Sequence, residues 1–323
     1  MKAMLESLPV LVLYPHNRCN CRCVMCDIWK LDTAEEISAV ELQRHLADLR
    51  ALRVEWVVFS GGEPLMHSDL FRLAGLLRES GIRTTLLSTG LLLKRYASRV
   101  VESIDDAIVS LDGPADVHDA IRRVPGAFRM LSEGVRALHE IDPGYSAAAR
   151  CTVQHGNFAR LRETVGTARD LGLRSISFLA ADVTSSAFNR PLAWPPERQA
   201  AVALDAAEVE TLAREMDALI VEERDRGLVV ESPEKLRRIV KHFRAQLGQE
   251  EPEAPRCNAP WVSAVLETDG TVRPCFFHEP IGNAREQGLA AVINGPRAVR
   301  FRETLQIAEN PVCRQCVCSL YRA

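Results

Sequence analysis

The sequence predicts an α/β fold: a partial (β/α)6 TIM-type barrel followed by a small C-terminal module of a β-hairpin and helix. Three observations predict it. Between residues 9 and 180, six short apolar runs alternate with amphipathic stretches of about a dozen residues, the pattern of parallel strands and their covering helices. The loops richest in reactive side chains each follow one of the first four runs, which puts them on the rim where the carboxyl ends of parallel strands gather function. Cysteine falls in two clusters, four residues between 19 and 26 and five after 256, with Cys151 alone between them.

The strands are expected at Val10 to Tyr14, Trp56 to Phe59, Thr84 to Ser88, Ala107 to Leu111, Ala149 to Val153 and Ser175 to Leu179, each rich in β-branched, aromatic or aliphatic residues. Between them Glu41 to Leu49, Leu70 to Ser80, Leu93 to Val101, Ala127 to Ile141 and Ala159 to Leu171 read as helices. Gly81 and Gly172 supply helix stops. Right-handed crossovers between successive strands close the sheet into a partial barrel. Pro191 to Pro196 is a proline-rich break, Ala206 to Arg226 and Pro233 to Leu247 are charged helices, and the acidic stretch Gln249 to Pro255 reads as a linker. Asp269-Gly270 is a hairpin turn between Val262 to Thr268 and Thr271 to Pro274. The expected organisation is a barrel core over residues 1–190, a helical connector over 191–255 and a cysteine-rich module over 256–323.

Forty basic and 43 acidic side chains leave a net charge of -3, so nothing points to a nucleic-acid partner or an anionic membrane. No stretch reaches the roughly 20 apolar residues that span a bilayer, and the N-terminus lacks a secretory pattern. A cytoplasmic protein is expected. Ten cysteines in that compartment point to metal or redox chemistry rather than disulfides.

Directly after the first strand, Cys19, Cys23 and Cys26 stand at spacing C-x3-C-x2-C, with Met25 before the last. A cubane cluster has four irons, so three thiolates on one loop leave one iron open to chemistry. A structural zinc site is the alternative, with Cys21 as a fourth thiolate, but such sites usually pair two ligand clusters. After the second strand comes Ser60-Gly61-Gly62-Glu63-Pro64, where two glycines permit close backbone approach and Glu63 offers a carboxylate. This cysteine loop and the Gly-Gly-Glu-Pro run resemble the signature of the radical S-adenosylmethionine (SAM) superfamily. The resemblance implies a [4Fe–4S] cluster held by Cys19, Cys23 and Cys26 and completed by SAM, whose amino and carboxylate groups chelate the fourth iron. It also implies reductive cleavage of SAM to a 5'-deoxyadenosyl radical that abstracts a hydrogen atom, with Met25 and residues 60 to 64 on the cofactor and Glu63 accepting from the SAM ammonium group.

Ser88-Thr89 and Ser110 with Asp112 end the third and fourth strands, where the resemblance places contacts to SAM or substrate; capping and turn formation are the competing reading. His118, Asp119 and Arg122 read as one helix face that stabilises the rim. Arg150, Thr152 and Gln154 share one face of the fifth strand, and a cation pointing into the barrel there needs a partner such as SAM or substrate.

In the C-terminal module, Cys257, Cys275 and the pair Cys313 and Cys316 resemble the twitch module, the shortened relative of the SPASM domain, which implies one auxiliary [4Fe–4S] cluster. A four-cysteine zinc ribbon is the alternative. Cys318 is left over as an exchangeable ligand, an inert thiol or a reactive group. Cys151, Cys318 and Cys21 are candidate hydrogen-atom donors to a substrate radical, which would make the chain an epimerase; a buried apolar role is the alternative for Cys151. The leading expectation is oxidation of a small molecule, a sugar or aminocyclitol for example, with the auxiliary cluster as electron acceptor and an external one-electron donor such as flavodoxin or ferredoxin. The first strand begins by residue 10, which favours a small molecule over a ribosomal peptide. Peptide modification is the second expectation, and a non-catalytic metal-binding or electron-transfer protein the third.

Overall fold

A computed structural model describes residues 2–31, 35–190, 192 and 194–322. Pro191, within the proline-rich break, lies outside the described residues, as do Met1 and Ala323 at the ends of the expected segments. Six parallel strands are β1 (Val10–Leu13), β2 (Trp56–Phe59), β3 (Arg83–Ser88), β4 (Asp106–Ser110), β5 (Ser146–Val153) and β6 (Ile176–Ala180). The helices that follow them are α1 (Ala39–Ala51), α2 (Leu70–Glu79), α3 (Leu93–Ser103), α4 (Ala115–Arg122), α5 (Ala127–Ile141), α6 (Leu161–Asp170), α7 (Pro196–Ala200), α8 (Ala206–Glu223) and α9 (Pro233–Gln246). Sheet order is β6-β5-β4-β3-β2-β1-β7-β8-β9, in which β7 (Ser263–Leu266), β8 (Thr271–Arg273) and β9 (Gly282–Asn283) come from the C-terminal segment.

β7 and β8 form the expected antiparallel hairpin, and β7 also runs parallel to β1 with Val10 opposite Ser263 and Leu13 opposite Leu266. The cysteine-rich segment is therefore built onto the barrel sheet. Alternation along each strand sorts side chains onto two faces. Leu11 and Leu13, Val57 and Phe59, Ala107 and Val109, and Ala149 and Cys151 are buried in the core cluster between sheet and helices. Val10 and Val12, Trp56 and Val58, Ile108, and Arg150 line a cavity on the other face. Burying each aliphatic side chain on the helix side contributes about 1.5–3 kcal/mol, so this face sets the register and fixes what points inward.

Candidate active site

The cysteine loop leaves β1 and is clamped from two sides. From one side, Glu63 N donates to Arg18 O at 2.8 Å. A Cβ on Gly62 would lie 1.9 Å from Arg18 O, and Gly61, at φ +92°, packs against Tyr14 and the His16 carbonyl. The two glycines thus let the β2 loop lie directly on the cysteine loop. From the other side, the end of α4 offers the unpaired carbonyls that every helix C-terminus carries. Ile121 O accepts from Val24 N, and Arg122 O from Arg22 N, both at 3.1 Å.

Glu63 is fully buried and its carboxylate accepts from Leu65 N (3.1 Å), Ser88 Oγ (3.0 Å), Thr89 N (2.6 Å) and Thr89 Oγ1 (2.6 Å). Four donors fill the acceptor capacity of a carboxylate. The side chain expected to meet the SAM ammonium group joins the β2 loop to the β3 loop through Ser88 and Thr89. Burial pushes the Glu63 carboxyl upward, and the hydrogen bonds from Thr89, Leu65 and Ser88 oppose that shift. His16, also fully buried, sits with Nε2 2.5 Å from Glu63 O, and its Nδ1 accepts from Arg18 N at 3.2 Å.

Asp112 follows the same logic. It is buried beside β4, pairs with Arg122 Nη2 at 2.5 Å, accepts from Thr152 N at 3.2 Å, and its carbonyl accepts from Asn157 Nδ2 at 2.9 Å. Its carboxylate ties the end of β4 to Arg122 at the end of α4. Arg122 in turn donates from Nη1 to Cys23 Sγ at 3.5 Å. Burial opposes the charge on Arg122, and Asp112 and Cys23 outweigh it, so its pKa rises. A hydrogen bond from Cys21 is the main cause that brings the Cys23 thiol down to about 6, with Arg122 adding to it. Burial pushes Cys19 and Cys26 up to about 12.

Residues after β6 close over the loop. Met25 packs against the small apolar cluster of Ala181, Val183, Trp194 and Val202. Asp27 accepts from Trp194 Nε1 at 2.8 Å and pairs with Lys30 at 3.0 Å and with Arg198. The fully buried Arg190 pairs with Asp182 at 2.5 Å. Gly61 and Gly62 line a second cavity with Tyr14, Asn17, Phe188 and Phe276.

On β5, Arg150 reaches the inner cavity, held by Ser177 Oγ at 3.2 Å. Gln154 shares the parity of Arg150 and Thr152 but lies beyond the strand end; it is fully buried, donating from Nε2 to Thr152 O at 3.3 Å. Cys151 alternates with Arg150, so it faces the helices, fully buried, with Asn157 Nδ2 at 3.5 Å from its sulfur. It is not among the residues that line the inner cavity or the glycine-walled one. Ser110 has the inward parity of Ile108. Ser60 N pairs with Leu13 O at 2.9 Å, and Pro64 opens a buried turn through Met66.

The inner cavity, about 220 Å³, is shared with Cys257, Cys275, Cys313, Cys316 and Cys318. Five thiols therefore surround one space. Cys316 Sγ donates to Cys318 O at 3.1 Å, and His278 Nε2 lies 3.3 Å from Cys313 Sγ with its ring on Phe301. Burial raises Cys275 to about 12 and Cys313 to about 11, so metal binding here releases protons. Among the described residues no three His, Cys, Asp or Glu side chains converge on a single-ion site. The donor set nonetheless suits a cluster: three thiols share one rim loop, and Arg122 Nε, buried without a hydrogen-bond partner, is a spare donor beside Cys23.

Fold and site define an α/β partial barrel with a three-cysteine loop at its rim and a second cysteine cluster in its sheet extension. Residues 13–157 match the radical SAM superfamily and residues 257–317 an iron–sulfur cluster-binding domain, SPASM. The chain carries a radical SAM domain over residues 13–157, the domain type that binds a [4Fe–4S] cluster and SAM, and a SPASM-type module for auxiliary iron–sulfur binding over residues 257–317. It is 31% identical over 157 residues to Fe-coproporphyrin III synthase of Methanosarcina barkeri, covering 47% of this chain and 39% of that protein. To PqqA peptide cyclase of Ruegeria pomeroyi it is 25% identical over 273 residues, 82% of this chain and 67% of that one. The chain spans 39–45% of the length of three curated relatives it matches, so these matches cover the barrel core more than the whole proteins. The fold is shared with SuiB of Streptococcus suis bound to SAM at a TM-score of 0.69, with 17% identity over 98% of this chain and 74% of that one. Among the described residues no helix is long and apolar enough to cross a membrane.

Proposed function

We propose that the chain is a radical SAM oxidoreductase acting on a small organic substrate in the inner cavity. When bound, the cluster and SAM supply a 5'-deoxyadenosyl radical able to take a hydrogen atom from an unactivated C–H bond. Cys19, Cys23 and Cys26 would hold that cluster, Gly61 and Gly62 would bring the β2 loop against it, and the module cysteines would hold an auxiliary cluster as electron acceptor. The protein's part is to position the substrate and keep water from the radical.

The observation that carries the reading is the cavity itself, whose wall joins the barrel strands to the five module cysteines. Its sheet side, Val10, Val12, Trp56, Val58, Leu87 and Ile108, is apolar, and among the described residues Arg150 is its one permanently charged side chain. Arg150 has no carboxylate within ion-pair distance among the described residues. These features favour an apolar body with one acidic group over a polyhydroxylated sugar, whose many hydroxyls need polar partners. The test is hydrogen-atom abstraction from candidate acids deuterated at one carbon, read as deuterium in 5'-deoxyadenosine; Arg150→Gln should raise KM for the acid at least tenfold.

A second reading, modification of a ribosomal peptide, is supported by the PqqA peptide cyclase match over 82% of this chain and by the fold shared with SuiB and with anSMEcpe bound to a peptide. Deuterium transfer from a labelled peptide, and from no free acid, would select it.

A further inference from the structure

We propose that Arg122, locked by Asp112, is a positioning residue that raises the reduction potential of the cluster held through Cys23. The inference rests on Cys23 being a cluster ligand. A buried cation close to a ligand sulfur favours the state carrying the extra electron, because low-polarity surroundings screen the charge poorly. Arg122 fits this role. Its side chain is 7% exposed, Nη1 donates to Cys23 Sγ at 3.5 Å, and Nη2 lies 2.5 Å from Asp112 Oδ2.

The position of the guanidinium is fixed by the fold rather than by the cysteine loop alone. Thr152 N and Asn157 Nδ2 hold Asp112 from the β5 side, and Asp112 holds Arg122. The carbonyls of Ile121 and Arg122 grip Val24 N and Arg22 N, so α4 carries cation and loop as one body. A rim brace needs the ion pair alone. It does not need the same guanidinium to reach a thiol 99 residues away in sequence while Nε stays without a partner.

The two partners have opposite electrostatic signs, which makes the test specific. The reconstituted full chain is titrated with dithionite and mediators and followed by electron paramagnetic resonance, reading the signal that changes when SAM is added. Arg122→Gln removes the cation and should lower the midpoint, cutting the reduced fraction at fixed potential at least tenfold, which is about 59 mV for one electron. Asp112→Asn removes the opposing charge and should raise it, and Arg122→Lys should stay close to wild type. If Arg122→Gln does not hold iron, the other two variants decide. Wild-type midpoints in all variants that bind full iron, or Arg122→Gln and Asp112→Asn shifting in the same direction, would overturn the inference. A wild-type chain that takes up no cluster on Cys19, Cys23 and Cys26 would sink the cluster assignment itself and this inference with it.

Discussion

Thr89 Oγ1 and Glu63 Oε2 stand 2.6 Å apart, with Thr89 N also 2.6 Å from the same oxygen. This doubled contact locks the β3 loop onto the β2 loop, and through Glu63 N and O onto Arg18 and His16 of the segment that carries the cysteines. Glu63→Gln keeps the shape but replaces one acceptor oxygen by a donor facing buried donors. Leaving such donors unpaired costs about 1–3 kcal/mol. Urea unfolding of the metal-free chain should show that loss, and an unchanged midpoint would contradict the role given to Glu63.

Gly62 is expected to tolerate no side chain. Its Cβ would fall 1.9 Å from backbone, which no rotamer relieves, so Gly62→Ala must push the cysteine loop away. Gly75, inside α2 with nothing within 4 Å of its Cβ, is the control, and Gly75→Ala should stabilise by up to about 1 kcal/mol. Iron bound per chain after reconstitution should fall at least twofold in Gly62→Ala and hold in Gly75→Ala.

His118 gives a pH dependence of definite sign. It is fully buried, accepts at Nδ1 from Asp112 N at 3.3 Å, and burial, with Arg122 adding, lowers its pKa from 6.5 to about 4. The unfolded chain binds the proton first, so stability is lost as pH falls from about 6.5 and the loss is complete near 4. At about 1.4 kcal/mol per unit the loss is roughly 3.5 kcal/mol. Stability curves of wild type and His118→Gln should converge by that amount over this window; parallel curves would contradict the assignment.

Cys151 should be dispensable for chemistry. Its sulfur packs between sheet and helices, so Cys151→Ala should cost about 1 kcal/mol in stability and leave the rate of product formation from the substrate at the wild-type value. A tenfold loss of that rate with full iron content would return the thiol to the reaction.

Much of this was legible in the sequence. The six parallel strands lie within a few residues of where the apolar runs put them, because a strand buried on both faces must be apolar along its length. The same sequence held the key to Cys151: placing Arg150 and Thr152 inward by alternation turns Cys151 to the helices. Less legible were the acids. Glu63 and Asp112 sit at strand ends where a ligand contact and a rim brace need the same side chain, and their distant hydrogen-bond partners leave no local trace in the sequence. Ser88 and Thr89, which donate to Glu63, lie 25 and 26 residues away and Arg122 reaches a thiol 99 residues away, distances at which no local pattern operates. The pairing of β7 with β1 was equally hidden, since a hairpin specifies its own register and not its neighbour.

The most direct test is anaerobic reconstitution with iron and sulfide, reduction with dithionite in the presence of SAM, and chromatographic measurement of 5'-deoxyadenosine. The account predicts 5'-deoxyadenosine from the wild-type chain and none from Cys23→Ala. A wild-type chain that binds its full complement of iron and leaves SAM intact would contradict it.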